Sequence, residues 1–427
     1  MIVAPRPGEG GCETIAVPYS GTVSILSRPP KPLIRRRAVW LAAAALWALL
    51  AMLPARAQQG PTRLQVVGGL ADVRLYDQYE RRFWRDLLPQ MTEGQLEADI
   101  VPFDSSGIRG QDMLHLMRLG VVPFGTVLLS LAATDEPELA APNLAMLAPE
   151  LSTLRRVVQA YRSRLSSLLK EQYGVELLAI YAYPAQVLFC TQPFDGLEAL
   201  SGRKIRVSNS SQADAMAALG AIPVVTPFAS LMDEIRDGRL DCAVTGSLSG
   251  NQLGLHRLTK QIHPMAISWG LSVFGANGQA WAALEPRLQQ IIRRGLGRLE
   301  LEVWAAAGQD TEDGFLCNAG RPGCQTGTPG GMIWDTLSPQ DETVRRQLLA
   351  QTVLPGWIER CGEECRQSWN TYLAPMTRIF LTAPEPAPPG MAAPMPQARL
   401  RQVGSEILTG SPPASITAPA SSSTSSR

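Results

Sequence analysis

The chain has 427 residues, 45% of them hydrophobic, with 39 Lys and Arg set against 38 Asp and Glu. A near-even charge balance excludes a partner held by bulk positive charge, nucleic acid above all, because such surfaces need a basic excess. The length and apolar share allow two or three domains with a full core.

The N-terminus carries an export signal. Arg35, Arg36 and Arg37 precede an apolar run from Ala38 to Leu53, and Ala55-Arg56-Ala57 is a small-x-small cleavage site. Cleavage after Ala57 starts the mature chain at Gln58 and sends it to the periplasm. The alternative is an uncleaved anchor, for which the uncharged run from Ala38 to Ala55 is at the short end of the ~20 residues a span needs.

Leu64 to Gly69 is a strand ending in glycines. Asp77 to Met91 has apolar residues at helical spacing, with Tyr79, Phe83, Trp84, Leu87 and Leu88 on one stripe. Glu97 to Pro102 is a second strand, Gly110 to Leu119 a helix stopped by Gly120, and Val121 to Leu131 a third apolar run. Strands alternating with helices imply a parallel sheet covered by helices. Leu151 to Gln172 is a long amphipathic helix. Glu176 to Ala182 and Gln186 to Cys190 are two further strands.

Lys204 to Val207 is a strand holding one charge, Arg206. A helix, a short strand, Pro227-Phe228, a helix ending at Gly238 and the strand ending at Thr245-Gly246 follow. Ile262 to Phe274 is one or two strands containing Trp269. Glu285 to Ala307 is a long helix with Pro286 in its first turn, and 308–331 is irregular. Ser338 to Leu349 and Trp357 to Leu373 are the last helices. The segment 381–427 turns into Pro, Ala, Ser and Thr and lacks the apolar surface to fold.

Cys317 with Cys324 and Cys361 with Cys365 suit disulfides in an oxidising compartment, with three connectivities open. Cys190 and Cys242 fall in apolar runs and are expected as buried thiols. No dinucleotide, phosphate-loop, zinc-protease or nucleophile-elbow motif occurs, so no cofactor, metal or catalytic set is expected.

Arg206 is the main candidate for binding. A guanidinium inside a βαβ unit is costly to desolvate and calls for an anion, either a ligand carboxylate or a structural acid such as Asp241. Asn209 stands where free N–H groups attract anions, or simply caps the following helix. Phe228 and Trp269 are pocket walls or core. Thr245 and Gly246 end a strand, where open α/β sheets place ligands. Ser105 holds a similar place in the first half, or serves a turn.

Four short elements in order carry a family resemblance: 200–207 (LSGRKIRV), 219–224 (LGAIPV), Thr226-Pro227-Phe228 and 238–241 (GRLD). They resemble the extracytoplasmic solute receptors of tripartite ATP-independent periplasmic (TRAP) transporters, the DctP type, over most of 60–375. The resemblance implies a two-lobed type-II periplasmic binding protein with hinge strands and a long lobe-bridging helix. It divides the chain into lobe I over 58–185, lobe II over 186–273 and a segment 274–380 completing both. It implies a small organic acid as ligand, delivered to membrane permease subunits on a sodium gradient, and no enzymatic activity. The family's carboxylate-binding Arg falls on Arg206, an Asn on Asn209 and an aromatic on Phe228. Two positions depart from the pattern: Thr245 takes the place of an Asn, and Gln186 that of a second Arg. A site with one Arg fewer favours a monocarboxylate or a less charged solute. The alternative function is a sensing or scaffolding subunit that signals to a membrane partner.

Overall fold

The structure, a computed structural model, describes residues 60–382. The expected export signal and cleavage site, Cys12 and the tail from 383 onward lie outside the described residues. Pro61 begins the compact unit that holds every element below.

The strands are β1 (Thr62–Gly68), β2 (Leu96–Pro102), β3 (Phe124–Leu128), β4 (Val175–Cys190), β5 (Lys204–Val207), β6 (Ile222–Val225), β7 (Cys242–Gly246), β8 (Gln261–Ile262), β9 (Ser268–Asn277) and β10 (Ile333–Trp334). They form one mixed sheet in the order β2-β1-β3-β9-β4-β7-β5-β6, with β8 pairing β4 and β10 pairing β8. At one end β1 runs parallel to β2 and β3. At the other end β5 runs parallel to β6 and β7. The antiparallel pair β4 and β9 joins the two parallel halves. This is the α/β architecture expected from the alternating pattern.

The principal helices are α1 (Met113–Arg118), α2 (Leu151–Tyr173), α3 (Ser210–Ala218), α4 (Leu231–Arg236), α5 (Ser247–Leu253), α6 (Pro286–Ala319), α7 (Pro339–Leu348), α8 (Leu354–Cys361) and α9 (Glu363–Tyr372). Their ends follow local chemistry. Gly174 closes α2 in the left-handed region at φ 61°. Ser338 caps α7 by accepting from the Asp341 amide at 3.0 Å. Gly362, at φ 87°, splits the single helix expected over 357–373 into α8 and α9.

Two more expectations change in the structure. The strands expected over 176–182 and 186–190 are one strand, β4, whose pairing with β9 shifts register between Ala182 and Ala185. Pro184 lacks an N–H and sits at that irregularity, so the proline makes a bulge and not an end. The helix expected to stop at Ala307 continues to Ala319. Gly314 is tolerated because α5 crosses there. A Cβ on Gly314 would lie 2.4 Å from the Leu248 backbone nitrogen, so only glycine permits that approach.

α6 also serves β4. The Val175–Ala182 part of β4 pairs with β9 on one side only, and its other edge would leave backbone groups bare. Side chains of α6 fill that edge. Glu300 accepts from the Ile180 amide at 3.0 Å, Trp304 donates to the Ile180 carbonyl at 2.9 Å and Thr311 accepts from the Ala185 amide at 3.0 Å. At its C-terminal end Asn318 donates to the Ser247 carbonyl at 2.9 Å. One helix therefore braces the joining strand and the far half together.

The cysteines correct a further expectation. Cys190 and Cys242 are not free thiols but a disulfide, with Cα atoms 4.1 Å apart. They stand directly opposite each other on antiparallel β4 and β7, a register that composition cannot reveal. The other pairs are local, Cys317–Cys324 and Cys361–Cys365.

Candidate functional site

The C-terminal ends of the parallel strands converge on one cleft of about 620 Å³. From one half come residues after β1, β2 and β3: Leu70, Asp104, Gly107 to Gln111, Ser130 and Leu131. From the other come Arg206 of β5 and Ser208 after it, Val225 of β6 and Thr226 to Ala229 after it, and Thr245 and Gly246 of β7 with Ser249 after them. The floor is Tyr183, Pro184 and Gln186 of β4 with Gly270 and Leu271 of β9, at the register shift. Open α/β sheets present free backbone and loops at such strand ends, which is why ligands bind there. Gly270 keeps the floor flat, since a Cβ there would come within 2.8 Å of Tyr183 Cβ.

Arg206 is the buried cation of this cleft, only 4% exposed. Its Nε donates to the Thr226 carbonyl at 2.9 Å and its Nη1 to the Val244 carbonyl at 2.8 Å. Those two bonds hold the planar fork at a fixed angle. Among the described residues no carboxylate pairs with it, and Nη2 makes no hydrogen bond. Burial pushes its pKa down to about 10, the response of a cation short of anionic neighbours. The Asp241 alternative fails on geometry, because that carboxylate accepts from the Lys204 amide at 2.7 Å.

Gln186 lines the floor with its amide already oriented. Its Oε1 accepts from Gln212 Nε2 at 2.6 Å and from Ser268 Oγ at 3.2 Å. Gln212 is fully buried, and its own Oε1 accepts from the Ser208 amide and hydroxyl at 2.8 and 3.0 Å. With the oxygen of Gln186 committed, its N–H₂ group is the part left to donate.

Of the residues singled out in the sequence, Arg206, Gln186, Phe228, Thr245 and Gly246 line the cleft. Phe228 also packs against the core cluster that includes β1, the helical stretch 75–91, α6 and Tyr183 of the cleft floor. Three residues lie off the lining. Asn209 is the cap of α3, its Oδ1 accepting from the Gln212 amide at 3.0 Å. Trp269 is 3% exposed and its indole donates to the Ala148 carbonyl at 2.9 Å, a core role. Ser105 is exposed in a short turn, while its neighbour Asp104 reaches the cleft. Asp104, Tyr183 and the Ser130-Leu131 pair escaped sequence reading. The one available hint was Pro184 between two strand-like runs, which reads as a break until pairing is known.

Behind the floor lies a buried carboxyl, Glu80. It accepts from the Gly69 amide at 2.8 Å and from the Thr126 hydroxyl. Burial outweighs both bonds and pushes its pKa up to about 7. Burial first, and this carboxyl second, hold the Tyr181 and Tyr183 phenols above their usual range. A carboxyl whose folded pKa lies above its ordinary 4.5 favours folding below that value, and the contribution fades as pH rises through 7. Asp310, raised to about 6 by burial, acts in the same direction. The Glu80 share is about 3 kcal/mol. Urea unfolding at pH 5 and pH 8 should therefore find Glu80→Gln more stable than wild type at pH 8 by up to that amount, and close to neutral at pH 5. Equal offsets at both pH values would refute the buried-acid account.

The model of the family described as bacterial extracellular solute-binding protein, family 7, matches residues 77–314. The chain is 28% identical over 257 residues to the outer membrane transporter protein TsaT of Comamonas testosteroni, covering 57% of this chain and 73% of that one. A Bordetella pertussis extracytoplasmic solute receptor binding pyroglutamic acid superposes with TM-score 0.65 at 21% identity, covering 73% of this chain and 99% of that one. A TRAP periplasmic solute-binding protein of Desulfovibrio salexigens with bound orotic acid gives TM-score 0.64 at 16% identity, covering 74% and 99%.

Proposed function

Because the chain belongs to family 7 of the bacterial extracellular solute-binding proteins, we propose that it is the periplasmic receptor of a TRAP transporter and closes on a small organic acid. The lobes are 58–185 and 186–273, completed by 274–380, and the hinge is the β4–β9 pair at its register shift. Arg206 receives the carboxylate, and Gln186 donates beside it. Phe228 lines the cleft and packs against the core cluster that includes β1 and α6, so it is placed as an apolar wall for the ligand. A ligand that touches both halves favours closure by its extra contacts in that state. Export by the N-terminal segment delivers the protein to the periplasm, and the closed complex hands its acid to membrane permease subunits.

The observation that carries this reading is a buried guanidinium without an acidic partner among the described residues, lining a cleft between two half-sheets. The experiment is a thermal-shift screen of organic acids, with pyroglutamate and orotate among the probes, beside uncharged sugars and amines. Native mass spectrometry of protein purified from its host supplies the co-purified solute. At a hundred times its Kd an acid should raise the Tm by roughly 4 °C or more. A response to sugars or amines with none to acids would sink the proposal.

A further inference from the structure

We infer that the cleft selects an acid with a single negative charge on an apolar body, and that Asp104 turns a second carboxylate away. This rests on the receptor reading above and adds the class of its ligand. Three observations carry it.

The first is the charge count of the lining. Its charged residues are Arg206, Arg109 and Asp104. Arg109 is the weaker cation: its Nε and Nη2 donate to the two oxygens of Asp112 at 2.8 and 3.0 Å, and its side chain is 78% exposed, where solvent screens its charge. Among the described residues Arg206 is the buried cation of the lining left without an anion, so the interior of the cleft can neutralise one carboxylate.

The second is Asp104. Its Oδ1 accepts from the Ala71 amide at 2.9 Å, and among the described residues no cation pairs with it. It lines the same cleft from the half opposite Arg206. A second carboxylate on the ligand would meet this charge without a compensating cation, and like charges brought together across an interface oppose binding.

The third is the wall between them. Phe103, Ile108, Leu128 and Leu131 on one side face Val225 and Phe228 on the other. Val225 is 68% exposed on an edge strand, an unfavourable place for a large aliphatic chain unless something apolar covers it. The amide oxygen of Gln186 is taken by Gln212 and Ser268, so the floor beside Arg206 offers a donor to the acid group. A polar ligand body would leave its own groups unpaired against this wall.

Calorimetry with three probes tests the inference: 3-phenylpropanoate, phenylsuccinate, which adds a second carboxylate, and pyroglutamate, which keeps one charge on a polar body. The first should bind about 10-fold or more tightly than either of the others. Asp104→Asn keeps the oxygen that the Ala71 amide needs, and a melting curve verifies its fold. It should narrow the gap to phenylsuccinate by about 5-fold while moving 3-phenylpropanoate by about 2-fold or less. If phenylsuccinate or pyroglutamate binds as tightly as 3-phenylpropanoate and Arg206→Gln weakens it, the receptor reading stands and the ligand class is wrong. If the gap survives Asp104→Asn, that residue is not the selector. Failure of all three probes overturns the class, and an equally silent acid screen removes the receptor reading with it.

Discussion

Arg206→Gln should weaken the tightest acid found by screening by about 100- to 1,000-fold, while the unliganded protein keeps its fold. The binding loss follows from what the side chain does in the cleft. It supplies the uncompensated positive charge, and removing one partner of a desolvated charge pair costs about 2–5 kcal/mol. The effect on the empty protein is a balance. Gln would forfeit the bonds now made to the Thr226 and Val244 carbonyls, each contributing about 1 kcal/mol. It would also remove a guanidinium held 4% exposed without an anion, whose desolvation opposes folding. The two terms oppose, so unfolding free energy should change by about 1 kcal/mol or less. Arg206→Lys keeps a charge but not the planar fork, and should fall between Gln and wild type in affinity. Calorimetry and urea unfolding on the same preparations separate the two quantities. An Arg206→Gln protein that binds the acid at wild-type strength would remove the anchor from the mechanism.

Loss of the Cys190–Cys242 disulfide should cost more stability than loss of either local disulfide. The bond closes 52 residues of chain, and loop-closure entropy for that length corresponds to about 4 kcal/mol. The local Cys317–Cys324 bond, spanning 7, corresponds to about 2 kcal/mol by the same reasoning. Replacing both Cys190 and Cys242 by Ala should therefore shift the urea midpoint well below wild type. Both sulfurs sit at 0% exposure, so a reductant reaches them only when β4 and β7 separate. Mass-spectrometric alkylation in mild reductant should label the two local pairs, each with one part-exposed cysteine, first and Cys190–Cys242 last. A double-Ala variant that loses less than about 1 kcal/mol, or early labelling of Cys190, would contradict this.

The closed loop also bears on the site. It contains β5, α3, β6 and α4, and hence Arg206 and Phe228. The disulfide ties this segment to β4 at the far end of the strand from the hinge. A reduced protein should consequently bind its acid more weakly even where it remains folded, because Arg206 is aimed by the Val244 carbonyl of the same β4–β7 ladder.

Local sequence signals were enough for the alternation of strands and helices and the parallel halves, and they singled out Arg206 as a charge in an apolar strand. Alternating apolar runs specify strands, and a lone charge in such a run announces its own desolvation problem. Asn209 was ambiguous because capping and anion binding use the same residue type, and the Gln212 amide resolved it as a cap. Trp269 was ambiguous because wall and core both need an aromatic, and the Ala148 carbonyl drew it into the core.

By itself, the sequence determined that the chain is an α/β protein with a guanidinium set in an apolar strand and in need of an anion, from a ligand or from its own chain, since periodicity and desolvation act residue by residue. Only the tertiary structure decided three things. Cys190 meets Cys242, α6 runs on past Gly308 and Gly314 to cap β4, and Asp104 faces the cleft that Arg206 anchors. Each depends on which distant backbone lies opposite, and strand register and helix crossing are set by the packing of the whole sheet and not by neighbours along the chain.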